Sequence, residues 1–116
     1  MVILIVEDDP SLCKTLGFVF RHEFNFKYIC AKTIKEAFTL LDSFVVDVVL
    51  LDYLLNDDTA DSIVVKVNDI TNNKPKIILM TAVVNSESIA HRLGVSKLLR
   101  KPFSFEELQH ILDIVH

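Results

Sequence analysis

The sequence predicts an α/β protein built on a five-stranded parallel β-sheet with helices on both faces. Five short apolar runs, rich in β-branched residues, alternate along the chain with five segments of helical periodicity. Continuous apolar runs are typical of strands that are buried on both faces, as they are in parallel sheets. Five βα units imply right-handed crossovers. At 116 residues, the whole chain, 1–116, is expected to form one domain with a single core.

The first half of the chain contains three predicted strands and two predicted helices. The strands are expected at residues 2–6, 26–31 and 46–51. Asp9-Pro10 begins the first helix, with the aspartate as N-cap and the proline at the first helical position, and the helix is expected to end near His22. A capping box, Thr33 to Glu36, begins the second helix, because each side chain can bind a free backbone N–H there.

The second half repeats this alternation, with strands expected at 76–80 and 97–100. A polar stretch, 56–61, leads into a third helix that is rich in β-branched residues and is therefore a weak helix former. A fourth helix, 85–93, ends at Gly94, a residue suited to a C-cap. A second capping box, Ser104 to Glu107, begins the last helix. Its predicted buried residues are Leu108, Ile111, Leu112 and Val115.

The composition argues against several classes of protein. The net charge is −4 and the basic residues are scattered, so we expect no nucleic-acid surface on this domain. No apolar run reaches the roughly 18 residues that span a bilayer, and the N-terminus lacks the features of a signal peptide. We therefore expect a cytoplasmic protein without a membrane partner. Cys13 and Cys30 lack metal-ligand spacing and are expected to be reduced thiols in or near the core.

Chemically active side chains follow four of the predicted strands. Ligands of open parallel sheets bind beyond the carboxyl ends of the strands, where the strand order reverses, so these side chains are expected to share one site. They are Glu7 and Asp8 after the first strand, Asp52 after the third, Thr81 after the fourth and Lys101 after the fifth. Carboxylate oxygens with room for water and a phosphate are typical ligands of Mg²⁺ or Mn²⁺, and aspartate can accept a phosphoryl group.

Each of these residues, taken alone, has an ordinary structural explanation. An aspartate commonly caps a turn, most lysines are surface lysines, and a threonine can simply end a strand. The combination at four strand ends is what makes the pattern specific. It predicts a site that binds a divalent cation and carries out phosphoryl transfer.

Along essentially its whole length, the chain resembles the receiver domain of two-component response regulators. The match rests on motifs at the family's spacing, supported by Gly94 before the lysine. These motifs are Glu7-Asp8, Asp52, Thr81-Ala82 and Lys101-Pro102-Phe103. The resemblance implies a flavodoxin-like, doubly wound sheet of order 2-1-3-4-5.

The resemblance also implies a role for each site residue. Asp52 would accept the phosphoryl group from a histidine kinase or a histidine phosphotransfer protein. Lys101 would pair with one phosphoryl oxygen, and Thr81 would move to hydrogen-bond another. The cation, Mg²⁺ or Mn²⁺, would be held by Asp8 and Asp52 directly, by Glu7 largely through water, and by the backbone carbonyl of Leu54.

A receiver is a signalling module rather than an enzyme, with only slow activity on itself. The fourth helix, fifth strand and fifth helix would form its partner face. The output would come from an unknown partner or from an output domain absent from this chain, and a homodimer is another candidate assembly. The expected exposed polar positions of this face, for which simple solvation is an equally good explanation, are Asn85, Ser86, Ser88, His91 and Lys97.

The sequence departs from the family's pattern around the phospho-acceptor. The following loop lacks the family's proline and glycine and has instead Asn56, Thr59 and Ala60. This predicts a different loop backbone, because alanine tolerates positive φ poorly. Leu98 occupies the position of the family's switch aromatic, so the usual coupling cannot operate.

Two apolar residues, Leu54 and Val83, flank Asp52 in the resemblance. We expect them to impede an attacking water molecule and to lengthen the lifetime of the phosphoryl group.

Two other functions fit part of the pattern. A degenerate receiver would bind partners without phosphorylation; Leu98 leaves this open, whereas the intact acidic pair, Asp52, Thr81 and Lys101 argue against it. An aspartyl-phosphate hydrolase of the haloacid-dehalogenase type would need a cap domain and a second aspartate at the position of Leu54.

Overall fold

A computed structural model describes residues 1–56 and 58–115 and contains a main sheet of five parallel strands. The strands of this sheet are β1 (Val2–Val6), β2 (Lys27–Ala31), β3 (Val48–Asp52), β6 (Lys76–Thr81) and β7 (Lys97–Arg100). A separate antiparallel hairpin consists of β4 (Leu54–Leu55) and β5 (Asp58–Thr59). The order of the main sheet is β2-β1-β3-β6-β7, which confirms the predicted order 2-1-3-4-5.

The five predicted helices are present, each within two residues of its expected bounds where these were given. They are α1 (Pro10–Glu23), α2 (Ile34–Ser43), α3 (Asp61–Asn68), α4 (Ser86–Leu93) and α5 (Phe105–Val115). The predicted caps are confirmed. Asp9 accepts the N–H groups of Ser11 and Leu12, and Gly94 takes the left-handed conformation with φ 73°. The capping box of Ser104 and Glu107 forms in both directions. In the other, Thr33 accepts the N–H of Glu36 as predicted, but Glu36 accepts the N–H of Lys32 rather than that of the N-cap residue.

Every residue of β3 is buried, as is all of β1 after Val2, so the sheet is covered on both faces. Alternate residues of each strand point to opposite faces. One face packs against α2, α3 and α4, and the other against α1 and α5. On α5, Leu108 and Leu112 are buried as predicted and Ile111 is half-buried, while the side chain of Val115 lies outside the described residues.

The expectation of two reduced thiols is wrong. Cys13 on α1 and Cys30 on β2 form a disulfide, with their Cα atoms 6.4 Å apart. The helix approaches the edge strand closely one turn further on, at Gly17: a Cβ there would lie 2.3 Å from the ring of Tyr28. The tight packing of α1 on β2 brings the two cysteines together, and their separation of 17 residues gave no sign of it.

None of the described helices is long and apolar enough to cross a membrane. The strand order reverses between β1 and β3, which are direct neighbours at the centre of the sheet. Glu7 follows β1 and Asp52 ends β3. The fold thus places these two carboxylates at the switch point where ligands of such sheets bind.

Candidate functional site

The five predicted site residues all lie at the carboxyl edge of the sheet. Lys101 extends from the end of β7 toward the acidic groups that follow β1 and end β3. Its Nζ lies 3.0 Å from Oδ2 of Asp52, 3.1 Å from Oε2 of Glu7 and 3.2 Å from Oε1 of Glu7. The Lys101 N–H donates to the carbonyl of Thr81, which ties the lysine to the end of β6. One ammonium therefore bridges two carboxylates from neighbouring strands.

These charges lie in a largely desolvated setting. The side chains of Glu7, Asp52 and Lys101 are 3%, 10% and 22% exposed. Burial, together with the nearby Asp52 carboxylate, raises the pKa of Glu7 to about 7, although Lys101 opposes both effects. Burial alone would lower the pKa of Lys101, but its contacts with Asp52 and Glu7 bring it above the ordinary value.

Asp8 completes an acidic cluster. One carboxylate oxygen from each of Glu7, Asp8 and Asp52 lies within 4.8 Å of the others. Asp8 also accepts the backbone N–H of Asn56 at 3.0 Å, which fixes the hairpin loop against the cluster. Three carboxylates outnumber the one ammonium, and the donors are all oxygen. This donor set fits a hard divalent cation.

A pocket of about 380 Å³ opens beside Asp52. Its lining is polar on one side and apolar on the other and comprises Asp52, Leu54, Thr81, Ala82, Val83, Val84 and Lys101. Thr81 is buried, and its hydroxyl oxygen accepts the N–H of Val83 at 3.1 Å. The pocket gives a phosphoryl-sized group access to a carboxylate, a hydroxyl and an ammonium.

Among the described residues of the loop after Asp52, Asn56 has a positive φ of 49°, whereas Ala60 has φ −88°. Asparagine tolerates the left-handed region better than alanine does. Ala60 therefore avoids the positive φ that alanine tolerates poorly. Whether the backbone differs from the family's stays a prediction.

The prediction that Ser86 is exposed is wrong. Ser86 is completely buried, because at the start of α4 its side chain turns inward and its hydroxyl lies 3.3 Å from Nε of Arg100. Asn85, Ser88 and His91 are exposed, and Lys97 is half-buried.

Sequence reasoning also missed a polar network behind the site. Arg92 on α4 donates at 2.9 Å both to Asp61 on α3 and to the hydroxyl of Tyr53, the residue after Asp52. The Arg92 guanidinium holds the pKa of Asp61 below its usual value. No local sequence pattern predicts this network, because its members lie on two helices and in the loop after β3.

Arg100 is a second residue that sequence reasoning did not assign to the site. It could have been singled out, because it is a charged residue that ends a short apolar strand.

The comparisons with known proteins agree with this geometry. The family model for the response regulator receiver domain matches residues 3–113. The transcriptional regulatory protein PmrA of Pectobacterium parmentieri is 34% identical over 111 residues, which cover 94% of this chain and 49% of the relative. The chain thus spans about half the length of the curated relative that it matches.

Similar solved structures cover nearly the whole chain. The non-phosphorylated HemR receiver domain from Leptospira biflexa is 28% identical, with a TM-score of 0.83 and coverage of 98% of this chain and 92% of that one. A CheY-like receiver domain from Methylobacillus flagellatus is 20% identical, with a TM-score of 0.88 and coverage of 100% and 98%. TrrA from Thermotoga maritima, solved in complex with Mg²⁺-BeF, is 23% identical, with a TM-score of 0.85 and coverage of 99% and 98%. The last two support the fold alone.

Proposed function

Because the chain belongs to the response regulator receiver domain family, we propose that it is a signalling module controlled by phosphorylation of Asp52. Receiver domains are signalling domains rather than classical enzymes, and we infer that residues 1–116 form one such domain. The observation that carries the proposal is the contact of 3.0 Å between the Lys101 ammonium and the Asp52 carboxylate, inside a cluster of three acids. This arrangement suits a nucleophilic carboxylate whose side chain becomes more negative once it carries the phosphoryl group.

The transfer would proceed by in-line displacement. An oxygen of the Asp52 carboxylate attacks the phosphorus of a phosphohistidine on the donor, a P–O bond forms, the P–N bond breaks, and the imidazole leaves. The protein mainly positions the groups, because the transition state is loose and carries its charge on the phosphoryl oxygens. The Lys101 ammonium is a mobile point charge and can follow that charge from the carboxylate to a phosphoryl oxygen. The Thr81 hydroxyl would donate to another phosphoryl oxygen.

A divalent cation, Mg²⁺ or Mn²⁺, is the proposed cofactor. Glu7, Asp8, Asp52 and the carbonyl of Leu54 would hold it, and its charge would offset that of the phosphoryl oxygens. The excess of carboxylates over ammonium groups supports this assignment. As the resemblance implies, Glu7 would bind largely through water: Lys101 contacts both of its carboxylate oxygens, but only Oδ2 of Asp52.

We propose a histidine kinase or a histidine phosphotransfer protein as the donor. Phosphorylation would change binding at the face formed by α4, β7 and α5. The receiver would act on an unknown partner, on an output domain absent from this chain, or through a homodimer, and it would act in the cytoplasm without contacting nucleic acid or a membrane. The matched relative, twice as long as the aligned segment, supports an output unit outside this chain.

Intact-mass measurement tests the proposed function. The protein is incubated with Mg²⁺ and acetyl phosphate, alongside Asp52→Asn and Asp58→Asn, an exposed acid of the same loop that serves as the matched control. A phosphate-sized gain is expected in the wild type and in Asp58→Asn, and none in Asp52→Asn. Steady release of inorganic phosphate with turnover would instead indicate a hydrolase, and no gain in any sample would indicate a degenerate receiver.

A further inference from the structure

The start of α4 is held by one residue of β7. Arg100 directs Nε to the hydroxyl of Ser86 at 3.3 Å, and its terminal nitrogen forms an ion pair with Glu87. Ser86 and Glu87 are the first two residues of α4. We name this group of three residues, Arg100, Ser86 and Glu87, the Arg100 clamp.

The two contacts of the clamp differ in strength. The ion pair is exposed on both sides, at 57% for the Arg100 side chain and 77% for that of Glu87, and such pairs contribute little. Ser86, by contrast, is completely buried. A buried hydroxyl that loses its partner is costly, so the bond from Arg100 to Ser86 is the contact that fixes the helix.

The clamp lies directly beside the candidate phosphorylation site. Arg100 pairs with Thr81 in the register of β6 and β7, and Lys101 is the next residue along the chain. Thr81 in turn holds the N–H of Val83 through its hydroxyl oxygen. The segment 82–85, which joins β6 to α4, is therefore attached to Thr81 at one end and to Arg100, through Ser86, at the other.

Arg100 also lies on the strand that lacks the switch aromatic. Residues two apart on a strand point to the same face, so Arg100 and Leu98 share a face of β7. Leu98 is half-buried against the cluster that contains α4 residues Ile89 and Ala90. The polar contact between this face and the first turn of α4 is thus made by the arginine at the strand's end.

We propose that Arg100 is the positioning residue that couples the phosphorylation state of Asp52 to α4. This inference rests on the proposed function. In the unphosphorylated chain the Arg100 clamp holds the first turn of α4. When Thr81 moves toward a phosphoryl oxygen, it displaces Val83 and the segment 82–85, which draws Ser86 away from Arg100 and frees the start of the helix.

Hydrogen exchange of the amides of residues 89 and 90, whose N–H groups bond back to the start of α4, tests the coupling. The full chain is labelled with Mg²⁺, with and without acetyl phosphate, and the phosphorylated fraction of each sample is read from its intact mass. In the wild type, phosphorylation should speed exchange about fivefold, which corresponds to the loss of one net hydrogen bond. In Arg100→Ala, exchange should already be faster without the donor, and phosphorylation should add less than about twofold.

Arg92→Ala is the matched control, because it removes an arginine ion pair from the other end of the same helix. It should keep slow exchange at residues 89 and 90 without the donor and the full response to phosphorylation. Ser86→Ala removes the same buried contact without leaving an unpaired hydroxyl, so it tests the coupling even if Arg100→Ala does not fold. It should lose the response as Arg100→Ala does.

A purely structural role for Arg100 would raise basal exchange but leave the fold-increase on phosphorylation intact, and that result in Arg100→Ala or Ser86→Ala overturns the coupling. Mass gain with an unchanged exchange rate at residues 89 and 90 in the wild type overturns this inference alone. No mass gain in any sample overturns the proposed function and the coupling together. The mass reading therefore distinguishes the two failures.

Discussion

Glu7 is the residue whose chemistry the fold alters most. It follows β1 directly, is nearly inaccessible to solvent, and faces both Asp52 and Lys101. Desolvation disfavours its charged form, and the neighbouring Asp52 carboxylate adds to that effect. A lone ammonium shared between two carboxylates does not restore the ordinary pKa of Glu7.

The raised pKa predicts how stability depends on pH in metal-free protein. The pKa of Glu7 is about 7 in the folded state and has its ordinary value of 4.5 in the unfolded state, so between these values the folded state keeps a proton that the unfolded state has lost. The stability contributed by protonated Glu7 is therefore complete below pH 4.5 and is lost as the pH rises through 7.

From pH 5 to pH 8 in the presence of a chelator, the wild type should lose about 1–3 kcal/mol of unfolding free energy relative to Glu7→Gln. Urea denaturation at the two pH values measures this difference, and a constant difference between the two proteins would contradict the prediction.

Leu54 and Val83 form the apolar side of the pocket beside Asp52. We predict that Leu54→Asn loses phosphate faster than the wild type, because an amide can hydrogen-bond and orient an attacking water molecule that leucine cannot. One such bond corresponds to a rate increase of about fivefold. The measurement is the decay of the phosphorylated mass after the donor is removed. Val65→Asn, an exposed apolar residue on α3 away from the pocket, is the control, and faster decay in the wild type than in Leu54→Asn would contradict the prediction.

At the scale of elements, the disulfide joins α1 to β2 across 17 residues of sequence. A crosslink over a loop of this size stabilises a fold by about 3 kcal/mol, chiefly by restricting the unfolded chain. We predict that reduction lowers the free energy of unfolding by about 2–4 kcal/mol. The double variant Cys13→Ser/Cys30→Ser should show the same loss and no further response to reductant.

Thiol counting under denaturing conditions decides the same point directly. The air-purified protein should show no free thiol, and the reduced protein should show two, since Cys13 and Cys30 are the cysteines of the chain. Two free thiols in the unreduced protein would contradict the disulfide. A protein in the cytoplasm would meet reductants that keep such thiols reduced, so the count in protein isolated under thiol-trapping conditions also tests the proposed location.

Two arginines hold α4 in place: Arg100 of β7 and the helix's own Arg92. Among its eight residues, the buried ones are Ser86, Ile89 and Ala90, so its apolar contact with the sheet is small. Arg100 contacts its first turn, and Arg92 ties its last turn to Asp61 and Tyr53. Such an element is held by polar contacts that a change at the site can redistribute, which suits a signalling face.

For the molecule as a whole, the sequence predicted the strands and helices because that information is local, whereas the order of the strands in the sheet came from the resemblance to receiver domains. Apolar runs, two capping boxes and Gly94 each specify an element through its own residues. The clustering of Glu7, Asp8, Asp52, Thr81 and Lys101 followed from the rule that carboxyl ends of parallel strands share an edge.

Two of the features that sequence reasoning missed depend on contacts between residues far apart in the sequence. The Cys13–Cys30 disulfide forms because α1 packs closely on β2. The hydroxyl of Ser86 can be buried because the guanidinium of Arg100 donates a hydrogen bond to it. The hairpin of β4 and β5 consists of two-residue strands, too short to show a periodic pattern. The disulfide and the burial of Ser86 are set by tertiary packing, for which the local sequence carries no signal.

The most direct test of the proposed phosphorylation of Asp52 is to locate the phosphoryl group after transfer from a phosphohistidine donor. The protein is mixed with a phosphorylated histidine phosphotransfer protein and Mg²⁺, then digested and fragmented in a mass spectrometer. We expect modification of Asp52 alone, in the wild type and in Asp58→Asn, and no modification in Asp52→Asn. Modification of another residue, or an unmodified chain while the donor stays phosphorylated, would contradict it.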